Sequence, residues 1–200
     1  MLAGGAARRF GRDKVFATVG GRRLVDAALA SLARSDGRSV VLGTRERSRA
    51  VADQLPRGVD AIPDDHPGHG PMGGLATALA RNPGGWTAVL AADLPLVPAA
   101  WWPWLADQHV DGALAIVPRD ERGRWEPLAA LYHGSLAPAL SGAVASGDAA
   151  RLGFQRWLRE LDAEGRVAAV DPSPMGPRAL LNVNRPEDAA EVERLLATDG

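Results

Sequence analysis

The chain has 200 residues, enough for one α/β domain with a substantial hydrophobic core. Its 23 Lys and Arg residues nearly balance its 24 Asp and Glu residues, and the absence of a basic surplus argues against nucleic-acid binding. No apolar run approaches the ~20 residues of a membrane span and no signal peptide is recognisable, so we expect a cytoplasmic protein that does not bind membranes. The sequence has no cysteine, which excludes disulfides, thiolate metal sites and a cysteine nucleophile.

In the first half of the chain, short apolar runs alternate with amphipathic ones, which is typical of βα units on a mostly parallel sheet. The pattern predicts helices over 22–34 and 45–55 and strands over 39–44, 59–63 and 87–93. The run over 87–93 is apolar on both faces, as expected for a central parallel strand. Before it, DDHPGHGPMGG predicts a loop that leads into the helix LATALAR.

The second half continues the alternation. WWPW at 101–104 predicts the first turn of a helix, with its tryptophans in the core or at an interface. A turn at Gly123 predicts a hairpin between strands over 112–118 and 126–133. The remaining predicted elements are helices over 135–145 and 150–161, strands over 166–171 and 179–184, and a last helix that begins at Pro186.

The opening segment, MLAGGAARRFGRDK, has features of a phosphate-binding turn. Gly4 and Gly5 let backbone N–H groups converge on an anion, and Lys14 adds a point charge for phosphate. Arg9 adds a second cation that would offset charge on a transferring phosphoryl group. The segment is not a Walker A loop, and the alternative is a surface turn with solvated charges.

GHGPMGG contains the spacing GxGxxG at Gly68, Gly70 and Gly73, which resembles a dinucleotide fingerprint and leaves an NAD(P)-dependent oxidoreductase as an alternative. Two features weaken that hypothesis. The five residues from Pro63, which ends the strand, to Pro67 precede the first glycine, and Pro71 falls inside the turn. A loop that caps a helix explains the pattern equally well.

Polar side chains follow the predicted central strand and recur near the end of the chain. Asp93 stands at the carboxyl end of that strand, where open α/β sheets gather their ligands. A single carboxylate there suits Mg²⁺, which commonly takes one or two carboxylates plus phosphate oxygens. Asn182 and Asn184 would share one face of a strand and complete a metal or phosphate site. The alternatives are caps of the next turn and of the last helix.

Together these stretches resemble the molybdenum cofactor guanylyltransferases, the MobA-like nucleotidyltransferases. LAGGAARRFGRDK resembles the family's opening pattern LAGGxSxRMGxDK, and GPMGGL resembles its GPLxGL. AADLP, PLAALY and NVNRPED resemble later family segments, in the same order along nearly the whole chain.

The resemblance implies a three-layer Rossmann-like α/β fold with a mostly parallel central sheet. It implies one domain over 1–200, with a nucleotide-binding half over about 1–97 and an acceptor-binding half over about 98–200. The activity it implies is Mg²⁺-dependent transfer of GMP from GTP to the terminal phosphate of molybdopterin or Mo-molybdopterin, with release of pyrophosphate. It also implies contact with molybdoenzyme chaperones or other cofactor-biosynthesis proteins.

The resemblance assigns roles residue by residue. Asp93 would contact GTP and hold Mg²⁺, Arg9 and Lys14 would offset phosphate charge, and Asn182 and Asn184 would lie near the acceptor. The remaining positions that would lie along the nucleotide are Leu2, Ala3, Gly4, Gly5, Asp64, Gly70 and Pro71. Alternatives are a CTP-using sibling transferase, acting on molybdopterin or another phosphorylated acceptor, and a non-catalytic nucleotide-binding protein.

The chain departs from the family pattern at a few positions. Ala7 replaces a Ser, and Gly43 stands where some family members have an Asn that touches the nucleotide, which weakens the choice of GTP over CTP. Met1 replaces the last residue of a buried strand that precedes LAGG in the family. We therefore expect that the start codon has been assigned too late, and that a chain without this strand would be poorly stable.

Overall fold

The computed structural model describes residues 1–3, 14–176 and 178–198, with backbone alone for 14, 148–152, 186 and 196–198. The strands are β1 (Thr18–Val19), β2 (Arg22–Arg23), β3 (Arg38–Val41), β4 (Val59–Ile62), β5 (Trp86–Leu90), β6 (Ala115–Pro118), β7 (Ala129–His133) and β8 (Val167–Val170). The α-helices are α1 (Leu24–Ser31), α2 (Arg45–Val51), α3 (Gly70–Ala80), α4 (Trp101–Ala106), α5 (Ala137–Ala145), α6 (Asp148–Ala163) and α7 (Pro186–Thr198).

The strands form a mostly parallel sheet with one reversed member. β3 pairs in parallel with β4, and a second group is ordered β5-β7-β6-β8. In that group β7 lies antiparallel between β5 and β6, while β8 runs parallel to β6. The β6–β7 hairpin turns at Gly123, where φ is +75° and the N–H donates to the Asp120 carbonyl at 2.8 Å. The predicted hairpin is confirmed.

Residues 1–3 connect the two groups of strands. Leu2 forms a parallel bridge with Val41, at the end of β3, on one side and another with Ala91, directly after β5, on the other side. Its N–H donates to the Leu90 carbonyl at 2.8 Å, and its own carbonyl accepts from Ala92 N–H at 3.2 Å. This segment therefore lies between β3 and β5, so that the strand order across the sheet is β4-β3-(1–3)-β5-β7-β6-β8.

Alternating side chains along the strands build a hydrophobic core on each face of the sheet. On one face, Val40, Leu90 and Ile116 join a cluster with residues of α1 and α4. On the other face, Val41 and Val89 join a cluster with residues of α3, α5 and α6. This gives three layers, and the predicted fold class is confirmed. In the described residues, no helix is long and apolar enough to cross a membrane.

The prediction for WWPW is confirmed. WWPW forms the start of α4, in which the Trp101 side chain is buried and its Nε1 donates to the Ala129 carbonyl at 2.9 Å. Trp157 is also buried, stacked on Tyr132 with ring centroids 6.0 Å apart. These rings fix α4 and α6 against opposite faces of the sheet.

Two sequence-based elements are corrected. GPMGG is helical, because α3 begins at Gly70 rather than at the following leucine. Pro71 is tolerated there because the first helical residues have no intrahelical N–H partner. The segment over 179–184 is not a strand: its Val183 N–H donates to the Asp93 carbonyl at 2.9 Å as it crosses the sheet edge. A strand needs a hydrogen-bonded neighbour along its length, whereas the backbone hydrogen bond described between this segment and the sheet edge is the one from Val183, whose side chain packs with Val19, Leu24 and Val192.

Helix and strand ends shift in other places. The predicted helix over 22–34 is shorter, because Arg22–Arg23 pair with Thr18–Val19 in a small hairpin before α1 begins. The helix over 45–55 becomes α2 followed by a short 3₁₀ turn. The last helix begins at Pro186 as predicted.

Candidate active site

The carboxyl ends of the parallel strands define the candidate site. β3, β4 and β5 end at Val41, Ile62 and Leu90 on one edge of the sheet. Because Asp64 follows β4 and Asp93 follows β5, the two carboxylates come to the same edge from different loops. This is the edge at which open α/β sheets bind ligands.

Residues 1–3 bring the start of the glycine-rich segment to this edge. Ala3 N–H donates to the Val41 carbonyl at 3.0 Å, and Val41 N–H donates to the Met1 carbonyl at 3.0 Å. The backbone N–H and carbonyl of Leu2 are both used within the sheet, and its buried side chain packs toward α3. Leu2 therefore anchors the segment, and the contact with nucleotide expected for Leu2 and Ala3 stays a prediction.

Asp93 is half-buried beside this segment. It comes three residues after β5, and Ala92 before it donates its N–H to Leu2. The Asp93 carbonyl accepts the Val183 N–H at 2.9 Å, which ties the NVN segment to the same edge. Asn182 is half-buried and Asn184 is exposed on either side of the buried Val183. The Val183 hydrogen bond thus brings the backbone of the NVN segment to Asp93 without the strand that the sequence predicted, and the roles of Asn182 and Asn184 stay predictions.

Asp64 is held by hydrogen bonds from its own loop and from α3. Its Oδ1 accepts from the Thr77 hydroxyl at 2.8 Å and from His66 N–H at 2.9 Å. Its own N–H donates to the Gly43 carbonyl at 3.0 Å. Thr77 is fully buried, so this carboxylate is fixed in position by the helix that starts at Gly70.

Gly70 and Pro71 form the exposed first turn of α3, and their expected contact with the nucleotide stays a prediction. Gly70 has φ of +63°, a conformation that favours glycine. Seven residues, 63–69, separate the end of β4 from this helix. The dinucleotide fingerprint needs an immediate strand-to-helix turn, so this geometry does not fit it.

Four of the predicted residues have no described side chain. Gly4, Gly5 and Arg9 lie outside the described residues, and Lys14 begins a 3₁₀ turn, Lys14–Phe16, of which only the backbone is described at that position. Their predicted contacts with phosphate stay predictions.

Glu126 lies near this edge of the sheet, and sequence reasoning did not identify it. It is half-buried just before β7, and its pKa is raised, first by burial and also by the negative charge of Asp93. A hydrogen bond from Leu128 N–H and the charge of Arg124 act in the opposite direction. The predicted hairpin could have indicated its position. Because β7 runs antiparallel to β5, the residues just before β7 lie at the edge where β5 ends.

The donor set of this edge fits a hard divalent cation. No group of three or more His, Asp or Glu side chains in the described part of the chain is placed to hold a metal by itself. Mg²⁺ does not need one, because it usually takes one or two carboxylates and completes its shell with phosphate oxygens and water. Asp93 supplies a half-buried carboxylate of this kind.

The fold is that of a nucleotidyltransferase. The structure resembles that of the molybdopterin-guanine dinucleotide biosynthesis protein A from Archaeoglobus fulgidus, with a TM-score of 0.79, 24% identity, and coverage of 98% of this chain and 97% of that chain. The chain belongs to the MobA-like NTP transferase domain family, whose model matches residues 1–166.

Two relatives are similar over nearly the whole chain, beyond the residues that the family model matches. A probable molybdenum cofactor guanylyltransferase from Deinococcus radiodurans is 35% identical over 193 residues, covering 96% of this chain and 91% of the relative. A molybdenum cofactor guanylyltransferase from Cereibacter sphaeroides is 33% identical over 210 residues, covering 100% of this chain and 96% of the relative. The resemblance drawn from the motifs is confirmed, and this family membership favours a nucleotidyltransferase over an oxidoreductase.

Proposed function

We propose that this chain transfers GMP from GTP to the terminal phosphate of molybdopterin, with or without bound molybdenum, and releases pyrophosphate. The observation that carries the proposal is the half-buried Asp93 at the carboxyl edge of the sheet, between residues 1–3 and the NVN segment. Its support from known proteins is the near full-length similarity to molybdenum cofactor guanylyltransferases.

The reaction is an in-line displacement at the α-phosphorus of GTP. An oxygen of the acceptor's phosphate forms a new bond to that phosphorus, the bond to the bridging α–β oxygen breaks, and pyrophosphate leaves with the electron pair. Both reactants already carry the reacting oxygens, so no side-chain nucleophile is needed. Positioning and charge neutralisation must lower the barrier.

The chain's own residues would divide this work. Asp93 would hold Mg²⁺, which supplies charge neutralisation on the phosphates when it is bound. Arg9 and Lys14 would offset charge on the triphosphate and on departing pyrophosphate. Asp64, Gly4, Gly5, Gly70 and Pro71, with residues 1–3, would bound the nucleotide, and Asn182 and Asn184 would position the acceptor.

The wider assignments rest on the same function. The nucleotide would occupy the half of the chain over about 1–97 and the acceptor the half over about 98–200. The enzyme would act in the cytoplasm, where its product passes to molybdoenzymes or their chaperones.

The test is a direct assay of the full chain with molybdopterin and Mg²⁺, with GTP or CTP as donor. We expect pyrophosphate release and a guanine dinucleotide product, identified by mass spectrometry, with GTP. Asp93→Asn should lower kcat by about 10²–10³-fold, as for other losses of charge stabilisation at a reacting centre. The matched control is Asp60→Asn, an exposed carboxylate on β4, which should not change the rate.

Two results would contradict the proposal. A cytidine dinucleotide formed from CTP in preference to GTP would assign the chain to the cytidylyltransferase alternative. GTP binding that persists in Asp93→Asn, with no pyrophosphate release by the unmodified protein, would identify a non-catalytic nucleotide-binding protein.

A further inference from the structure

Arg47 of α2 reaches back to Gly43 at the candidate site. The Arg47 Nη1 atom lies 3.7 Å from the position that a Cβ on Gly43 would occupy. Gly43 comes two residues after β3, and its carbonyl accepts the Asp64 N–H at 3.0 Å, so it belongs to the carboxyl edge of the sheet. A planar cation therefore lies beside the backbone at the edge where open α/β sheets bind ligands.

The first turn of α2 holds the Arg47 backbone in place. Thr44 caps the helix by accepting the Arg47 N–H at 3.2 Å, and the Ser48 hydroxyl donates to the Leu42 carbonyl at 3.2 Å. Ser48 is buried, which fixes this turn against the end of β3. The Arg47 side chain is half-buried, whereas that of Arg49 on the same helix is exposed.

The order of the strands sets how far Gly43 lies from Asp93. Asp93 follows β5 and Gly43 follows β3, and residues 1–3 lie between these two strands. Two strand spacings amount to about 10 Å. A nucleotide whose α-phosphate lies at Asp93, and which extends along the edge toward Asp64, therefore brings its base rather than its phosphates to Gly43.

A guanidinium group suits the guanine base at this place. Guanine O6 and N7 accept hydrogen bonds side by side, and the planar fork of an arginine donates to both. Cytosine instead presents its N4 amino group, which is a donor and cannot accept from arginine. The guanidinium carries five N–H donors, so one arginine can bind a base while the protein also holds it.

We infer that Arg47 recognises the guanine base of the donor nucleotide at O6 and N7, and thereby favours GTP over CTP. This rests on the proposed function and adds to it a side chain that selects the nucleotide. Gly43 has no side chain to offer the base, and a long side chain at this position would compete with the guanidinium for the same space.

The test measures Kd by calorimetric titration of the full chain, in the presence of Mg²⁺, with GTP, GMP, CTP and 7-deaza-GTP, which lacks the N7 acceptor. Arg47→Gln should raise the Kd for GTP and for GMP by about tenfold or more, because both carry guanine, and should change the Kd for CTP much less. The loss for 7-deaza-GTP should be smaller than for GTP, because one of the two hydrogen bonds is already missing.

Two further variants separate base recognition from charge. Arg47→Lys keeps the positive charge but lacks the planar fork, so it should not restore the preference for GTP over CTP. Arg49→Gln is the matched control: it removes the same charge from an exposed position of the same helix and should leave all four Kd values unchanged.

Three results would overturn the role of Arg47. A loss in Arg47→Gln for GTP but not for GMP would assign the arginine to the β- and γ-phosphates. Full recovery in Arg47→Lys would show that charge alone matters. An equal loss for GTP and CTP, with a lower melting temperature, would assign a structural role.

These outcomes are distinct from a failure of the proposed function. In each of them the unmodified protein still binds GTP more tightly than CTP, and the transferase proposal stands. If the unmodified protein does not bind GTP, or binds CTP more tightly, the proposed function fails together with this inference.

Discussion

At the scale of single residues, the mid-chain glycines and Thr77 determine how the Asp64 loop is held. Gly73 faces the backbone of His66, and Gly74 faces the side chain of Leu2. These positions lie inside α3, where glycine costs about 1 kcal/mol relative to alanine. Close packing of the loop and of residues 1–3 against the helix explains why glycine is present.

Gly73→Ala should displace the loop that holds Asp64. A Cβ at this position would lie 2.6 Å from the His66 carbonyl oxygen, a backbone atom that cannot rotate away. We expect a loss of about 1–3 kcal/mol in the free energy of unfolding and a several-fold rise in the Kd for GTP. Urea unfolding and calorimetric titration would measure the two effects.

The neighbouring substitution Gly74→Ala is the control. Its Cβ would lie 3.4 Å from a methyl carbon of the Leu2 side chain, which can adjust, and the gain in helix propensity should offset much of the cost. Equal effects of the two substitutions would show that the contact with the His66 carbonyl is unimportant.

Thr77→Val should test the hydrogen bonds that fix Asp64. Valine keeps the shape of the buried side chain but removes the hydroxyl, which donates to Asp64 Oδ1 and accepts from Asp65 N–H at 2.9 Å. Leaving partly buried polar groups without a partner should lower the free energy of unfolding by about 1–3 kcal/mol.

The comparison variant is Thr87→Val on β5, whose hydroxyl accepts a long hydrogen bond from the Asn82 side-chain amide at 3.5 Å. It should cost much less in urea unfolding. A loss at Thr87 as large as at Thr77 would contradict the importance of the Asp64 network.

At the scale of elements, the sequence predicted which segments are helices or strands better than where they end or what they pair with. Short apolar runs identified β6 and β7, and Gly123 located their turn, because both signals are local. That β7 also separates β5 from β6 depends on pairing between distant segments, which no local pattern encodes. The position of Glu126 was missed for the same reason, since only this pairing brings the segment before β7 to the end of β5.

The turn between α3 and β5 gives a prediction about how elements fit together. A Cβ on Gly134 would overlap the Asn82 carbonyl, and the Gly134 N–H donates to the Gly85 carbonyl at 2.9 Å. Gly134→Ala must therefore separate the end of β7 from this turn, at a cost of about 3 kcal/mol or more in unfolding free energy.

Gly142→Ala in α5 is the matched substitution at an unobstructed position. A Cβ there meets no atom within 4 Å, so the better helix propensity of alanine should stabilise the protein by roughly 0.5–1 kcal/mol. Melting temperatures should move in opposite directions for the two variants. A lower melting temperature for both variants would contradict the expected gain in helix propensity at position 142.

At the scale of the whole molecule, residues 1–3 close the gap in the middle of the sheet only near its carboxyl edge. Val40, Val41 and Leu90, close to these residues, are buried, whereas Arg38, Ser39, Thr87 and Ala88 are half-exposed. The α-amino group of Met1 donates to the Ser39 carbonyl at 2.8 Å, and burial lowers its pKa from 8.0 to about 5.

A protein that begins at Met1 should lose stability as the pH falls from 8 to 5. In this window the unfolded chain binds a proton at the α-amino group and the folded chain does not, so protonation favours unfolding. The difference is on the order of 4 kcal/mol across the window. Urea unfolding at several pH values would measure it.

The comparison protein carries a short run of Val and Ile before Met1. Such a run should pair with the half-exposed starts of β3 and β5, raise the melting temperature, and remove this component of the pH dependence because no amine is buried there. The rest of the chain is the same in both proteins, so its contribution to the pH dependence cancels. The same pH dependence in both would contradict the assignment to the Met1 amine.

By itself, the sequence determined the α/β class, the alternation of elements and the motifs that identified the family, because hydrophobic period and turn chemistry are local properties. It also placed Asp93 at a strand end. Only the tertiary structure decided that NVN crosses the sheet edge to meet Asp93, that the glycines of GPMGG lie inside a helix, and that the segment before β7 lies beside the end of β5. These depend on contacts between segments far apart in the chain, and such contacts are set by packing rather than by local pattern.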